Sequence, residues 1–163
     1  MKVGIITSSD KGYAGEREDL SGKFIKSYME DYGYKVEKYI ILPDEKEILK
    51  KEMIHMADDL DLDLILTTGG TGFSRRDVTP EATIEVCDRM ASGIAEAIRA
   101  YSLRITPRAM LSRAQSGIRG SSLIINMPGS PKAVEEVLDY MMDSVHHGIE
   151  IMLGEAGECA RKK

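Results

Sequence analysis

Two arginines and two aspartates in this sequence have neighbours that suit the binding of phosphate and a divalent cation. Arg75, Arg76 and Asp77 lie in a row just before a predicted helix start. Arginine binds phosphate oxygens through its planar fork, and a helix N-terminus favours negative charge. Asp77, and Asp44 at the end of a predicted strand, can hold Mg²⁺ together with phosphate oxygens. An ion pair between Asp77 and a neighbouring arginine is the alternative.

A glycine-rich loop follows another predicted strand and consists of Gly69, Gly70, Thr71 and Gly72. Glycine lets the backbone turn sharply and approach a ligand closely, and successive amides can then point at one anion. The Thr71 hydroxyl adds a further donor. The loop is neither a Walker A loop nor a GxGxxG motif, since Arg75 holds the third glycine position. A tight turn without a ligand is the alternative.

Helix capping is a competing explanation for several of the polar residues. Asp44 and Glu47 have the spacing of a capping box, with Asp44 as the N-cap. Asp19 precedes a helical pattern and can cap it in the same way. Thr79 and Pro80 predict another helix start, with threonine at the N-cap and proline at N1.

Short apolar runs alternate with helical patterns along the chain, which is typical of parallel strands joined by helical crossovers. We predict a single three-layer, doubly wound α/β domain over residues 1–163, with a mostly parallel sheet and helices on both faces. The predicted strands are 3–7, 36–42, 64–68 and 123–126. The predicted helices run over about 20–32, 44–59 and 79–103, resume near 110, and end with a helix whose apolar face spans 134–152.

Ligands of open parallel sheets bind outside the C-terminal ends of the strands. Three polar or glycine-rich segments follow predicted strands, at 8–19, 69–80 and 126–131. We therefore expect one binding site at this edge of the sheet.

Composition excludes several classes of function. The 163 residues carry a formal net charge of −5, which disfavours a nucleic-acid partner or an anionic membrane surface. Cys87 and Cys159 lie too far apart to indicate a disulfide framework or a zinc motif. No GxSxG motif supports a serine nucleophile. No apolar run has the length of a signal-peptide core or a membrane span, so we expect a cytoplasmic protein.

Five segments together resemble the molybdopterin-binding family of molybdenum-cofactor biosynthesis, and most closely its adenylyltransferase branch. They are residues 42–45, 64–72, 76–82, 111–114 and 125–131, in the order that the family shows. The Asp-Leu-Ser-Gly stretch that begins at Asp19 also looks like the first substrate loop of the family.

This resemblance implies an enzyme that transfers AMP from Mg-ATP to the terminal phosphate of molybdopterin and releases pyrophosphate. It further implies a homotrimer that passes the adenylylated pterin to a protein that inserts the metal. The chemistry suits the available residues, because a phosphate nucleophile is already anionic and needs no general base. By motif position, Asp44 and Asp77 are the candidate catalytic and Mg²⁺-binding residues. The candidate substrate-binding residues are Asp10, Asp19, Ser21, Gly69, Gly70, Thr71, Gly72, Arg76, Thr79, Pro80, Ser112, Arg113, Pro128, Gly129 and Ser130.

Two other functions remain open at this point. One is a binding-only relative of the same family, which holds the pterin or nucleotide without turnover. The other is an unrelated nucleotide-binding α/β domain. Residues 76–80 resemble the catalytic branch, and for that reason we favour the enzyme.

Overall fold

A computed structural model describes residues 1–155 and places a six-stranded β-sheet between two layers of α-helices. The strands are β1 (Lys2–Ser8), β2 (Lys35–Leu42), β3 (Leu64–Thr68), β4 (Arg89–Met90), β5 (Ser116–Arg119) and β6 (Ser122–Met127). The α-helices are α1 (Asp10–Tyr13), α2 (Leu20–Asp31), α3 (Lys46–Ile54), α4 (Thr79–Val86), α5 (Ser92–Leu103) and α6 (Pro131–Leu153). A π-helical turn occupies His55–Asp59 and a 3₁₀-helix occupies Pro107–Leu111. The predicted three-layer α/β fold is confirmed.

The sheet has the strand order β2-β1-β3-β6-β5-β4. The first four strands of this order are parallel, whereas β5 and β4 continue the sheet in the antiparallel direction. The pairing brings Thr68 beside Thr7 on one side and Met127 on the other, while Ser8 pairs with Leu42. The C-terminal ends of the parallel strands therefore meet at one edge of the sheet.

Successive residues of the central strands face two separate apolar cores. In β3, Leu64 and Leu66 belong to the core that contains the buried faces of α2, α5 and α6. Ile65 belongs to the other core, against α3 and α4. Burial on both faces explains why these strands read as continuous apolar runs. In residues 1–155, no helix combines the length and the apolar character that crossing a membrane requires.

The antiparallel edge of the sheet was not predicted, since the sequence indicated only four strands. β4 is two residues long, and β5 has the sequence Ser-Gly-Ile-Arg with a single β-branched apolar residue. Neither has enough alternating residues to show a strand pattern. The strand β4 also interrupts the helix predicted over 79–103, which is α4 and α5 in the structure.

Two predicted helix starts were wrong by one or two residues. Asp44 does not cap α3, which begins at Lys46 with Glu45 at the N-cap position, because the Asp44 side chain bonds elsewhere. Thr79 lies inside α4 rather than at its N-cap, which is Val78. The helices α2 and α6 match their predictions, and Asp19 caps α2 as predicted. Ser130, which was not predicted as a cap, is the N-cap of α6.

The thiol of Cys87 is expected to react slowly. Burial raises its pKa to about 11, with a further contribution from the carboxylate of Asp88. Because the thiolate is the nucleophile, iodoacetamide at pH 8 should alkylate Cys87 about 100-fold more slowly than an ordinary cysteine of pKa about 8.5. Peptide mass spectrometry over a time course measures this rate. The same chain in urea is the control, and equal rates in the two conditions would contradict the burial effect.

Candidate functional site

A cavity of about 490 Å³ opens at the C-terminal edge of the parallel strands. Its walls include the ends of β1 and β3, the loop before α2, the glycine-rich loop and the start of α6. The predicted site residues that line it are Asp19, Ser21, Asp44, Gly69, Gly70, Asp77, Gly129 and Ser130. The structure thus brings together residues from all three segments that follow strands.

Asp44 is held by the end of β1 and the start of α1, and it does not cap α3. Its Oδ1 accepts a hydrogen bond of 2.6 Å from the Ser8 hydroxyl, and its Oδ2 accepts one of 2.9 Å from the backbone N–H of Asp10. The backbone N–H of Asp44 in turn donates to Oδ1 of Asp10 at 3.0 Å. These reciprocal bonds fix the carboxylate of Asp44 in the cavity wall.

Arg76 forms an ion-pair cluster next to Asp44. Its Nε and Nη2 each lie 3.0 Å from a carboxylate oxygen of Asp10, and its Nη1 lies 2.7 Å from Oε1 of Glu45. The hydrogen bonds from Arg76 lower the pKa of Asp10 below its ordinary value, with a further contribution from the backbone N–H of Asp44. Arg76 therefore pairs with Asp10 and Glu45, and not with Asp77 as the ion-pair alternative proposed.

The glycine-rich loop packs so closely that two of its residues have no room for a side chain. Gly69 and Gly70 have φ angles of +90° and +64°, which favour glycine. A Cβ on Gly70 would clash with the Thr79 hydroxyl and lie 3.0 Å from Oγ of Ser8 and 3.2 Å from Oδ1 of Asp44. The Thr79 hydroxyl also donates to the Gly69 carbonyl at 3.1 Å. The loop backbone consequently lies directly against Asp44.

Asp77 lies beside Gly72 of this loop, since a Cβ on Gly72 would lie 2.9 Å from Oδ2 of Asp77. Its Oδ2 accepts a hydrogen bond of 2.9 Å from the backbone N–H of Ser74, and its backbone N–H donates to the Ser74 carbonyl at 3.0 Å. Its backbone carbonyl accepts a bond of 2.6 Å from Nη2 of Arg113. Within residues 1–155, hydrogen bonds therefore anchor the carboxylate through Oδ2 alone.

Two helix N-termini meet at the cavity, next to the glycine-rich loop, since a Cβ on Gly129 would lie 3.7 Å from Cα of Gly69. The Ser21 hydroxyl in the first turn of α2 donates to the carbonyl of Gly129, which precedes α6, at 2.9 Å. Asp19 accepts from the backbone N–H of Gly22 at 2.8 Å and from the Tyr39 hydroxyl at 2.6 Å. Burial and this bond to Asp19 raise the pKa of Tyr39 above its ordinary value. The positive ends of two helix dipoles thus face one space that suits an anion.

The remaining predicted residues support these walls, and their proposed contacts with substrate stay predictions. Thr79 and Pro80 are buried at the start of α4, and the Pro128 carbonyl accepts a bond of 2.6 Å from the Thr68 hydroxyl. The Ser112 hydroxyl accepts from the backbone N–H of Ala114 at 3.3 Å. The residues outside the cavity lining are Asp10, Thr71, Gly72, Arg76, Thr79, Pro80, Ser112, Arg113 and Pro128.

Arg17 is a cavity residue that the sequence reasoning missed. It is exposed in the loop before α2, and it is the one lysine or arginine among the described residues that line the cavity. Within residues 1–155 its guanidinium makes no ion pair, since the adjacent Glu18 pairs with Lys23 at 2.7 Å. Its place in the polar segment 8–19 was the only available signal.

The residues present fit a divalent cation that shares its ligands with a phosphate group. No cluster of three or more His, Cys, Asp or Glu residues within the described part of the chain forms a complete metal site. Mg²⁺ needs only one or two protein carboxylates beside phosphate oxygens and water. Asp44 and Asp77 line the same cavity, and each oxygen of Asp44 accepts a single hydrogen bond, which leaves lone pairs for a cation.

Comparisons with known proteins agree with the geometry. Residues 4–147 match the family described as "Probable molybdopterin binding domain". The molybdopterin adenylyltransferase of Helicobacter pylori J99 is 42% identical over 156 residues, which cover 94% of this chain and 89% of that protein.

Solved structures give the same result. The molybdopterin biosynthesis enzyme MoaB of Thermus thermophilus superposes with a TM-score of 0.87 at 44% identity, covering 96% and 99% of the two chains. The tungsten cofactor synthesizing protein MoaB of Pyrococcus furiosus gives 0.81 at 35% identity, covering 93% and 96%. An unrelated nucleotide-binding α/β domain is thereby excluded, and this chain belongs to the molybdopterin-binding domain family.

Proposed function

We propose that this protein is a molybdopterin adenylyltransferase, which transfers AMP from ATP to the terminal phosphate of molybdopterin and releases pyrophosphate. The observation that carries the proposal is the shared cavity: Asp44 and Asp77 line it together with Gly69 and Gly70. The similarity of this chain to proteins named molybdopterin adenylyltransferase supports catalysis over binding alone. Pyrophosphate release that depends on molybdopterin tests the proposal.

The cavity supplies position and charge rather than a proton acceptor. The attacking phosphate oxygen is anionic at neutral pH, so the transfer needs alignment of two substrates and neutralisation of their charge. In our proposal the helix N-termini at Ser21 and Ser130 hold one phosphate group. The adjacent glycine loop, together with Asp44 and Asp77, binds the nucleotide phosphates with their cation.

We propose Mg²⁺ as the cofactor, with Asp44 and Asp77 as the residues that bind it. When bound with ATP, the ion neutralises phosphate charge and so favours attack by a second anion. The lining contains four carboxylates, from Glu18, Asp19, Asp44 and Asp77. These carboxylates would repel a polyphosphate without a cation, and we therefore propose that ATP enters the cavity as its magnesium complex.

Arg17 is expected to contribute binding energy for a substrate phosphate. The Arg17→Gln variant should raise the KM of at least one substrate about tenfold, because a charge-assisted hydrogen bond contributes about 1.5–3 kcal/mol. Steady-state kinetics with each substrate varied in turn measure the change. Arg89→Gln, which alters an exposed arginine in β4, is the matched control. Unchanged KM values for both substrates in the Arg17 variant would contradict this role.

We also propose that the protein is a homotrimer. Several large apolar side chains are exposed close together in sequence from the last residue of α5 onward, which suits burial against another copy. Light scattering should give a mass about three times the 18.1 kDa of one chain, and a monomer mass at working concentration would contradict the proposal. The exposed residues are Leu103, Ile105, Met110 and Leu111.

The proposal also covers the domain organisation, the cellular compartment and the fate of the product. Residues 1–163 act as a single molybdopterin-binding-like domain in the cytoplasm. The adenylylated pterin is an activated intermediate, and we propose that it passes to a protein that inserts the metal.

A further inference from the structure

Arg113 donates several hydrogen bonds to the glycine-rich loop and the residues that follow it. Its backbone N–H donates to the Thr71 carbonyl at 2.9 Å, and its Nε donates to the Gly72 carbonyl at 2.7 Å. Its Nη2 donates to the Asp77 carbonyl at 2.6 Å, and its Nη1 forms an ion pair with Glu81 in the first turn of α4. The backbone and side chain of one residue thus join both ends of segment 71–77 to the helix that follows.

These contacts leave the guanidinium little capacity for a ligand. All three of its nitrogens are bonded to protein acceptors, and Arg113 does not line the cavity. The fork geometry matters, because a lysine ammonium is a single point charge and cannot reach three separate acceptors in the same way.

We infer that Arg113 is a positioning residue that sets where the carboxylate of Asp77 lies in the cavity. The guanidinium holds the backbone carbonyl of Asp77, while the backbone N–H of Ser74 holds its carboxylate. Loss of the first contact frees the turn to move, and a shift of about 1 Å at a site of this kind can lower a rate about 100-fold. This inference rests on the proposed function, since it assigns Arg113 to the reaction through Asp77.

The test compares Arg113→Met, Arg113→Lys, Asp77→Asn and the double variant with Arg113→Met and Asp77→Asn. Arg113→Met should lower kcat for AMP transfer by about 10- to 100-fold, with KM for ATP changed less than about threefold. Arg113→Lys should have a kcat close to that of Arg113→Met, because a lysine cannot replace the fork of contacts. In the Asp77→Asn background, the methionine substitution should cost less than about twofold more, because interacting residues are not additive. Additive losses, or a raised KM at constant kcat, would overturn the inference in favour of direct substrate contact.

Hydrogen exchange supplies a readout that needs no activity. In Arg113→Met, amides of residues 71–77 should exchange at least about tenfold faster than in the unmodified protein, while those of α6 should be unchanged. Unaltered exchange in 71–77 would overturn the inference even if activity fell. If the unmodified protein adenylylates nothing, the proposed function fails, and the exchange result still decides whether Arg113 holds the loop. Glu81→Gln, which removes the charge from one of the contacts, replaces Arg113→Met if that variant does not fold, and should give a smaller increase.

Discussion

Replacing Asp77 with asparagine is expected to lower the rate of AMP transfer by about 100- to 1,000-fold while the fold stays intact, the size of effect seen when one electrostatic stabiliser is lost. Asp77 lines the cavity and is held there by the Ser74 N–H and, through its carbonyl, by Arg113. An asparagine can keep the bond from Ser74 through its amide oxygen. The variant loses the negative charge of the carboxylate, which we propose binds Mg²⁺.

The measurement is initial rate as a function of magnesium concentration, with circular dichroism to check the fold. We expect the Asp77→Asn variant to need more Mg²⁺ as well as to turn over more slowly. Asp31→Asn removes an exposed carboxylate at the far end of α2 and serves as the matched control. Normal turnover and normal Mg²⁺ dependence in Asp77→Asn would remove this residue from the metal site.

Asp44→Asn is expected to lower the rate about 100-fold with little change in the melting temperature, again the scale of one lost electrostatic stabiliser. The carboxylate does not cap α3, so no helix cap is lost. Asparagine can accept from the Asp10 N–H through its oxygen and donate to the Ser8 hydroxyl through its nitrogen. The wall therefore keeps its hydrogen bonds and loses only a charge.

Ser8→Ala separates charge from geometry at this position. It removes the 2.6 Å bond to Asp44 but leaves the carboxylate charged. If the charge of Asp44 is what matters, Ser8→Ala should lose much less activity than Asp44→Asn. Equal losses in the two variants, or a large fall in melting temperature for Asp44→Asn, would assign Asp44 a structural role instead.

The parallel part of the fold could be predicted because its signals are local. Strands buried on both faces are continuous apolar runs, and α6 repeats its buried residues at helical spacing over 23 residues. The strands β4 and β5 are too short for such a pattern. They form because β6 offers an open edge in the folded protein, and no local sequence signal reports that edge.

The location of the site could be predicted for a similar reason. The hydrogen-bond and ion-pair partners of its side chains could not be predicted. The rule that ligands bind at the C-terminal ends of parallel strands places Asp44, Asp77 and Gly69 together without any knowledge of contacts. The pairing of Arg76 with Asp10 joins residues 66 positions apart in the chain. The contacts of Arg113 with Gly72 and Asp77 are likewise set by tertiary packing, so no local sequence signal reports them, and the predicted contact of Arg113 with substrate stays a prediction.

The most direct test of the proposed function is to incubate the purified protein with Mg-ATP and molybdopterin and to follow pyrophosphate release and AMP attachment to the pterin. We expect pyrophosphate in equal amount to adenylylated molybdopterin, and none when molybdopterin or Mg²⁺ is omitted. Tight binding of the pterin without AMP transfer would contradict the proposed function, and it would make this chain a binding-only member of its family.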